Sequence, residues 1–256
     1  MPNSTAMAHA PTHETHLKYL RQALSLARLS EPKPTNFRVG CVIVSYGSGS
    51  GSEAGGSGGG GTVLSTGYTL ELEGNTHAEQ CALTKLARAH GIAEEAEQLG
   101  QLGQAVLGPE VAAVLYTTLE PCGLRLSGNM PCVERIIATR VGGGGVGVRK
   151  VVFGAREPGT FVQDSKSLQR LDQAGVEWEF VPGLDEEILS VAMEGHVKQD
   201  GEGEGTSRAG DAEPRESRQA PQQGTNVDDI SPEERRRQEA LPRNPKKRMM
   251  EVDVPS

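Results

Sequence analysis

Residues 111–135 read VAAVLYTTLEPCGLRLSGNMPCVER. Val111 to Leu119 is an aliphatic and β-branched run that predicts a buried strand, and Glu120-Pro121 ends it. Pro131 then opens a helix over PCVERIIATRV, since proline at the first helical position gives up an N–H that has no partner there. A strand, a loop and a helix form the repeating unit of an α/β layer fold, and the flanks repeat it. Upstream, Leu17 to Leu29 places Leu17, Leu20, Leu24 and Ala27 on one helical face, with Thr15 as N-cap. Ser30 to Pro34 stops that helix. Val39–Val44 and Thr62–Leu70 read as strands, and Thr76–His90 as a helix with Ala78, Cys81, Ala82, Leu83 and Leu86 apolar. Downstream come a strand at Lys150–Phe153, a helix at Ser165–Ala174 stopped by Gly175, a strand at Val176–Val181, and a helix at Leu184–His196.

The composition bounds this domain. The chain has 256 residues, and its 33 glycines crowd into 47–61, 142–147 and the stretch after Gln199. All aromatics fall between Tyr19 and Phe180. The expected organisation is therefore a disordered N-terminus over 1–15, one domain over 16–198 with a Gly/Ser-rich hairpin tip at 47–61, and a disordered tail over 199–256. No apolar run approaches the ~20 residues of a membrane span, so no membrane partner is expected. A formal charge of −8 argues against coating a nucleic acid. Four cysteines without a secretory leader suggest reduced thiols or metal ligands and a cytoplasmic setting. Pro245-Lys-Lys-Arg248 is a weak nuclear address that reads more simply as a solvated charge run.

Three short pieces carry chemistry: His77-Ala78-Glu79 at a helix start, Pro121-Cys122 after a strand, and Pro131-Cys132 at the next helix start. His77, Cys122 and Cys132 offer one imidazole and two thiolates. That is the donor set of a catalytic zinc site, whose fourth position is left to water. Helix N-termini favour thiolate through their partial positive charge. A carboxylate two residues from the histidine is too close to ligate the same metal comfortably, and is placed to move protons. Glu79 is that residue. Cys81, one turn beyond His77, would fill the position water requires, so it reads as a small core residue, as does Cys41 inside its strand.

These residues resemble the cytidine-deaminase-like superfamily, which implies a three-layer α/β/α sandwich around a five-stranded mixed sheet. Nine residues separate the cysteines, Cys122-GLRLSGNMP-Cys132, where most of the superfamily has two. This loop is similar to that of the pyrimidine deaminases of riboflavin biosynthesis. Gly154-Ala-Arg-Glu-Pro158, Phe161-Val162 and Leu171-Asp-Gln-Ala-Gly175 are similar to that family's acidic-Pro turn and the Leu-x-x-Ala-Gly that follows it. The run Ser127-Gly-Asn-Met-Pro131 and the pair Gly159-Thr160 depart from the bacterial pattern and look like the fungal type. The resemblance implies zinc-dependent deamination of 2,5-diamino-6-ribitylamino-4(3H)-pyrimidinone 5′-phosphate. The alternatives are a cytidine or deoxycytidylate-type deaminase, and a non-catalytic deaminase-like subunit; Glu79 counts against the last. Asn36 matches a superfamily asparagine that contacts the sugar-like part of the substrate. The Ala78 N–H is suited to hold the ring carbonyl. Arg125 has a fork geometry suited to phosphate, with Lys85 and Arg156 as alternatives. Relatives in the superfamily often dimerise.

Overall fold

The computed structural model describes residues 11–47, 60–93, 98–140, 145–158 and 166–196. Residues 1–10 of the expected disordered start (1–15), most of the Gly/Ser tip (48–59) and the tail from 199 lie outside these residues. Eleven elements follow in order among the described residues: α1 His13–Ala27, β1 Gly40–Ser45, β2 Thr62–Tyr68, α2 Ala78–Ala89, α3 Leu99–Ala105, β3 Ala113–Leu119, α4 Cys132–Ala138, β4 Lys150–Ala155, α5 Ser167–Gln173, β5 Glu177–Phe180 and α6 Asp185–Ala192. The strands form one sheet in the order β2-β1-β3-β4-β5. β1 runs antiparallel to β2 and β3, while β3, β4 and β5 are parallel. The sheet is mixed and five-stranded.

Side chains alternate across this sheet, as extended backbone requires. Cys41, Ile43, Leu115, Val151 and Phe153 face α2, α3, α4 and α5. Val42, Val44, Val114, Tyr116 and Val152 face α1 and α6. The result is helices on both faces of one sheet. Leu20 and Leu24 of α1 are 0% and 2% exposed, and burial of such a side chain contributes roughly 1.5–3 kcal/mol.

The structure differs from the sequence reading at four points. The N-cap of α1 is Thr12, whose Oγ1 accepts from the Thr15 N–H at 3.3 Å. Helix therefore begins inside the stretch 1–15, and the polar run His13-Glu-Thr-His16 has no apolar period to announce it, although His16 is buried. Pro131 is the N-cap of α4 and not its first residue, with ψ at 155°, so Cys132 opens the helix. The seven-residue α3 has no counterpart in the sequence reading, since Gly100 and Gly103 hide its helical pattern. At the other end α6 stops at Ala192, and 193–196 form a turn.

Candidate metal centre and active site

The site collects at the ends of α2, β3 and α4. Gly67 of β2 lets α2 approach: a Cβ there would lie 2.2 Å from the Ala78 carbonyl oxygen. This close seat fixes the start of α2, and with it His77 as N-cap and Glu79 in the first turn. β3 delivers the chain to Cys122, and the Glu120 N–H bonds to the Ala155 carbonyl at 2.8 Å to hold the exit. The first N–H groups of α4, which have no partner within the helix, grip Cys122. Cys132 N–H donates to Cys122 Sγ at 3.4 Å, and Val133 N–H to the Cys122 carbonyl at 3.2 Å.

His77 Nδ1 consequently stands 3.5 Å from Cys122 Sγ and 3.5 Å from Cys132 Sγ. All three donors lie within 4.8 Å of one another, and among the described residues they form the one cluster of this kind. Bonds of about 2.0 Å to nitrogen and about 2.3 Å to sulfur, set at a tetrahedral angle, put N and S about 3.5 Å apart. The donor set fits zinc in type and in spacing. Cys81 and Cys41 are buried free thiols outside the cluster. Hydrogen bonds from the Cys132 thiol and backbone, together with His77, pull Cys122 far below the usual thiol range. Cys132 is pushed up by its bond to Cys122 and by burial.

Glu79 is 3% exposed and accepts from Thr117 Oγ1 at 3.4 Å. Burial raises its pKa first and the Cys122 charge second, while His77 and a bond with the Cys132 side chain pull it down. The carboxylate thus sits against the donor cluster without belonging to it. His77, Glu79 and Cys122 line an open cavity of about 150 Å³.

Asn36 also lines the cavity, and its Nδ2 donates to Asn75 Oδ1 at 2.9 Å. Arg125 lines it too, although 6% exposed; it donates to the Asn75 carbonyl at 2.6 Å and to Gln80 Oε1 at 3.0 Å. These bonds engage two of its five N–H donors. Lys85 is paired with Glu71 and stands outside the lining. Arg156 lies near Glu120, with 66% of its side chain exposed, and is outside the lining as well. Ala78 is fully buried between two lining residues, at the N-terminal end of α2.

The sequence reading missed Glu157, which lines the cavity and whose pKa is pushed up to about 8 by burial and by the charges of Cys122, Glu79 and Glu120. Its signal was present, since it is the acidic residue of the acidic-Pro turn. Asn75, Leu124 and Leu126 are further lining residues without a motif of their own.

Residues 13–154 match the family model of the cytidine and deoxycytidylate deaminase zinc-binding region. A protein of Schizosaccharomyces pombe (strain 972), named diaminohydroxyphosphoribosylamino-pyrimidine deaminase, is 30% identical over 181 residues. Those residues are 71% of this chain and 36% of that protein, so the chain spans about a third of that curated relative's length. Two crystal structures of Aspergillus oryzae Rib2 deaminase, both C-terminal deletion mutants, have the same fold with a TM-score of 0.60. One, at pH 4.6, is 49% identical; the other, in complex with DARIPP at pH 6.5, is 48% identical. Each similarity covers 71% of this chain and 92% of the other.

Proposed function

The chain belongs to the cytidine and deoxycytidylate deaminase zinc-binding family, and from that premise we propose that it is a pyrimidine deaminase of riboflavin biosynthesis. The reaction is hydrolytic removal of the exocyclic amine of 2,5-diamino-6-ribitylamino-4(3H)-pyrimidinone 5′-phosphate, giving the 5-amino-6-ribitylamino-uracil phosphate and ammonia. The observation that carries the reading is a His/Cys/Cys donor set with a buried carboxylate against it, at a cavity whose lining holds one arginine among the described residues. A relative 48% identical has been crystallised with DARIPP, which supports the substrate class.

In this reading His77, Cys122 and Cys132 hold the metal. Zinc, when bound, lowers the pKa of a coordinated water toward ~7 and so supplies a nucleophile at neutral pH. Glu79 would carry two protons in turn: the first from the attacking water to the ring nitrogen, the second from the hydroxyl of the resulting adduct to the departing amine. The bond formed is C–O, the bond broken is C–N, and the leaving group is ammonia. Burial suits Glu79 to this role, because a carboxylate whose pKa lies nearer the working pH both takes and gives a proton. The Ala78 N–H holds the ring carbonyl, Asn36 meets the polyol chain, and Arg125 meets the phosphate.

The acidic balance of the chain supports a small-molecule substrate over a nucleic acid. No helix among the described residues is long and apolar enough to cross a membrane. Free cysteines support a cytoplasmic setting, and self-association follows the habit of the superfamily that the sequence resembles.

The test is ammonia release from a panel of ribityl and ribosyl pyrimidine phosphates, with cytidine compounds included. The ribityl phosphate should be turned over fastest. Arg125→Ala should raise KM for that substrate far more than for its dephosphorylated form, because the charge-assisted pair exists only with the phosphate. Preference for a cytidine compound would overturn the substrate assignment, and equal effects of Arg125→Ala on both forms would remove Arg125 from the phosphate.

A further inference from the structure

The cavity is bounded on one side by the segment 33–38, which supplies Asn36 and Phe37, and within the site Asn36 bonds to Asn75. Most of the segment's anchors come from the C-terminal turn. His196 Nε2 donates to the Asn36 carbonyl oxygen at 3.0 Å, and its ring stacks on Phe37 with centroids 5.0 Å apart and planes 28° from parallel. The Arg38 N–H bonds to the Ala192 carbonyl at 3.2 Å, and the buried Arg38 guanidinium pairs with Glu194 while donating to the carbonyls of Ser30 and Arg28. Gly195 completes the approach. Its φ is +92°, and a Cβ there would lie 2.7 Å from the Lys33 nitrogen, so only glycine lets the turn lie this close.

The contacts continue around the rim. Asn36 donates to Asn75, and the Asn75 carbonyl accepts from Arg125, which also bonds Gln80 on α2. One hydrogen-bonded belt therefore runs from His196 through Asn36 and Asn75 to Arg125, crossing from the end of the domain to the loop between the two cysteines. Of its members, Asn36, Asn75 and Arg125 line the cavity, whereas His196 does not.

We infer that His196 is a positioning residue for substrate binding: it sets the Asn36 end of the belt and, through Asn75, the Arg125 end, without touching the reacting atoms. Binding should depend on it more than chemistry does, because the donor cluster and Glu79 are fixed by α2, β3 and α4 and not by this belt. The kinetic part of the inference rests on the deaminase reading, but its structural part does not.

Two full-length variants separate the ring from the N–H. His196→Phe keeps an aromatic ring against Phe37 and removes the donor; His196→Gln keeps a donor and removes the ring. In the protein without substrate, amide hydrogen exchange over 33–38 should quicken about tenfold in His196→Phe, the size expected from losing one hydrogen bond that closes a local opening. With the ribityl phosphate, KM should rise by about the same factor while kcat stays within about twofold. Zinc content should not change, and His196→Gln should recover most of both effects. Unchanged exchange over 33–38 in His196→Phe would overturn the inference, as would an equal fall in kcat or a His196→Gln protein no better than His196→Phe. A wild-type protein that releases no ammonia from any substrate sinks the proposed function alone; quickened exchange in His196→Phe would then still support the coupling.

Discussion

Tyr116 and Thr117 are neighbours on β3, yet they serve two buried polar clusters of opposite character. The Tyr116 hydroxyl faces α1 and meets His16 Nδ1 at 2.9 Å and the Tyr46 hydroxyl at 2.7 Å. His16 in turn stands 3.7 Å from Glu179, which pairs with Lys150. On that side each polar group finds a complementary partner, and burial pushes the tyrosine hydroxyls up so that they remain donors. Thr117 faces the other way, toward Glu79, His77, Cys122 and Cys132. There two thiols, an imidazole and a carboxylate converge, and three of them present metal-donor atoms to one point. A closed network is a structural solution to burying polar atoms. A convergent set of buried donor atoms that do not satisfy one another fits a metal cation.

This contrast predicts that the two clusters fail differently when broken. The largest effect should come from Cys122→Ala or Cys132→Ala. Either removes a thiolate, so zinc measured by atomic absorption should fall well below one per chain and ammonia release should vanish. The melting temperature should fall too, since metal binding free energy is in part folding free energy. Retention of zinc by either variant would erase the contrast.

Tyr116→Phe should do the reverse. It strips one hydroxyl from the closed network and leaves His16 and Tyr46 each short of a partner, at a cost of about 1–3 kcal/mol in urea unfolding. Zinc content and turnover should stay at wild-type values. A variant of Tyr116 that lost zinc would mean that the two faces of β3 are one energetic unit.

The smallest effect concerns pH. Burial lowers the pKa of His16 below its ordinary 6.5, with Lys150 and His13 adding to this and Glu179 opposing it. As pH falls, the unfolded chain takes up this proton before the folded one does. The stability linked to His16 is therefore complete above about pH 6.5 and is lost as pH drops through the lower folded value. Between pH 7 and pH 5 the melting temperature of His16→Gln should fall less steeply than that of the wild type. Parallel curves would remove His16 from the network.

Much of this architecture was legible in the sequence, for reasons that differ by element. Strands buried on both faces announce themselves, as Val39–Val44 and Val111–Leu119 do, because most positions must be apolar or β-branched. The donors were legible because few residue types bind zinc, and because Cys122 and Cys132 each follow a proline at an element boundary. Polar groups buried in closed networks were not. His16 and Tyr116 look like surface and core residues respectively, and nothing local reveals that they pair across a hundred positions. The start of α1 was misplaced for the same reason. Contacts such as His196 with Asn36 depend on where α6 ends and how Gly195 turns, which only the packed chain determines. Glu157 lay in a segment matched by resemblance, but its approach to the metal centre depends on β4 lying beside β3.

The central claim is that Glu79 works beside the metal and not on it, and one preparation tests it. Glu79→Gln keeps the size of the side chain and removes its capacity to carry a proton. Zinc per chain and ammonia release should be measured on the same purified sample, with a melting curve. The account predicts about one zinc per chain, an unchanged melt, and turnover reduced by at least the ~10²-fold typical of losing one positioned acid–base group. Zinc lost from Glu79→Gln, or turnover retained with zinc in place, would contradict it.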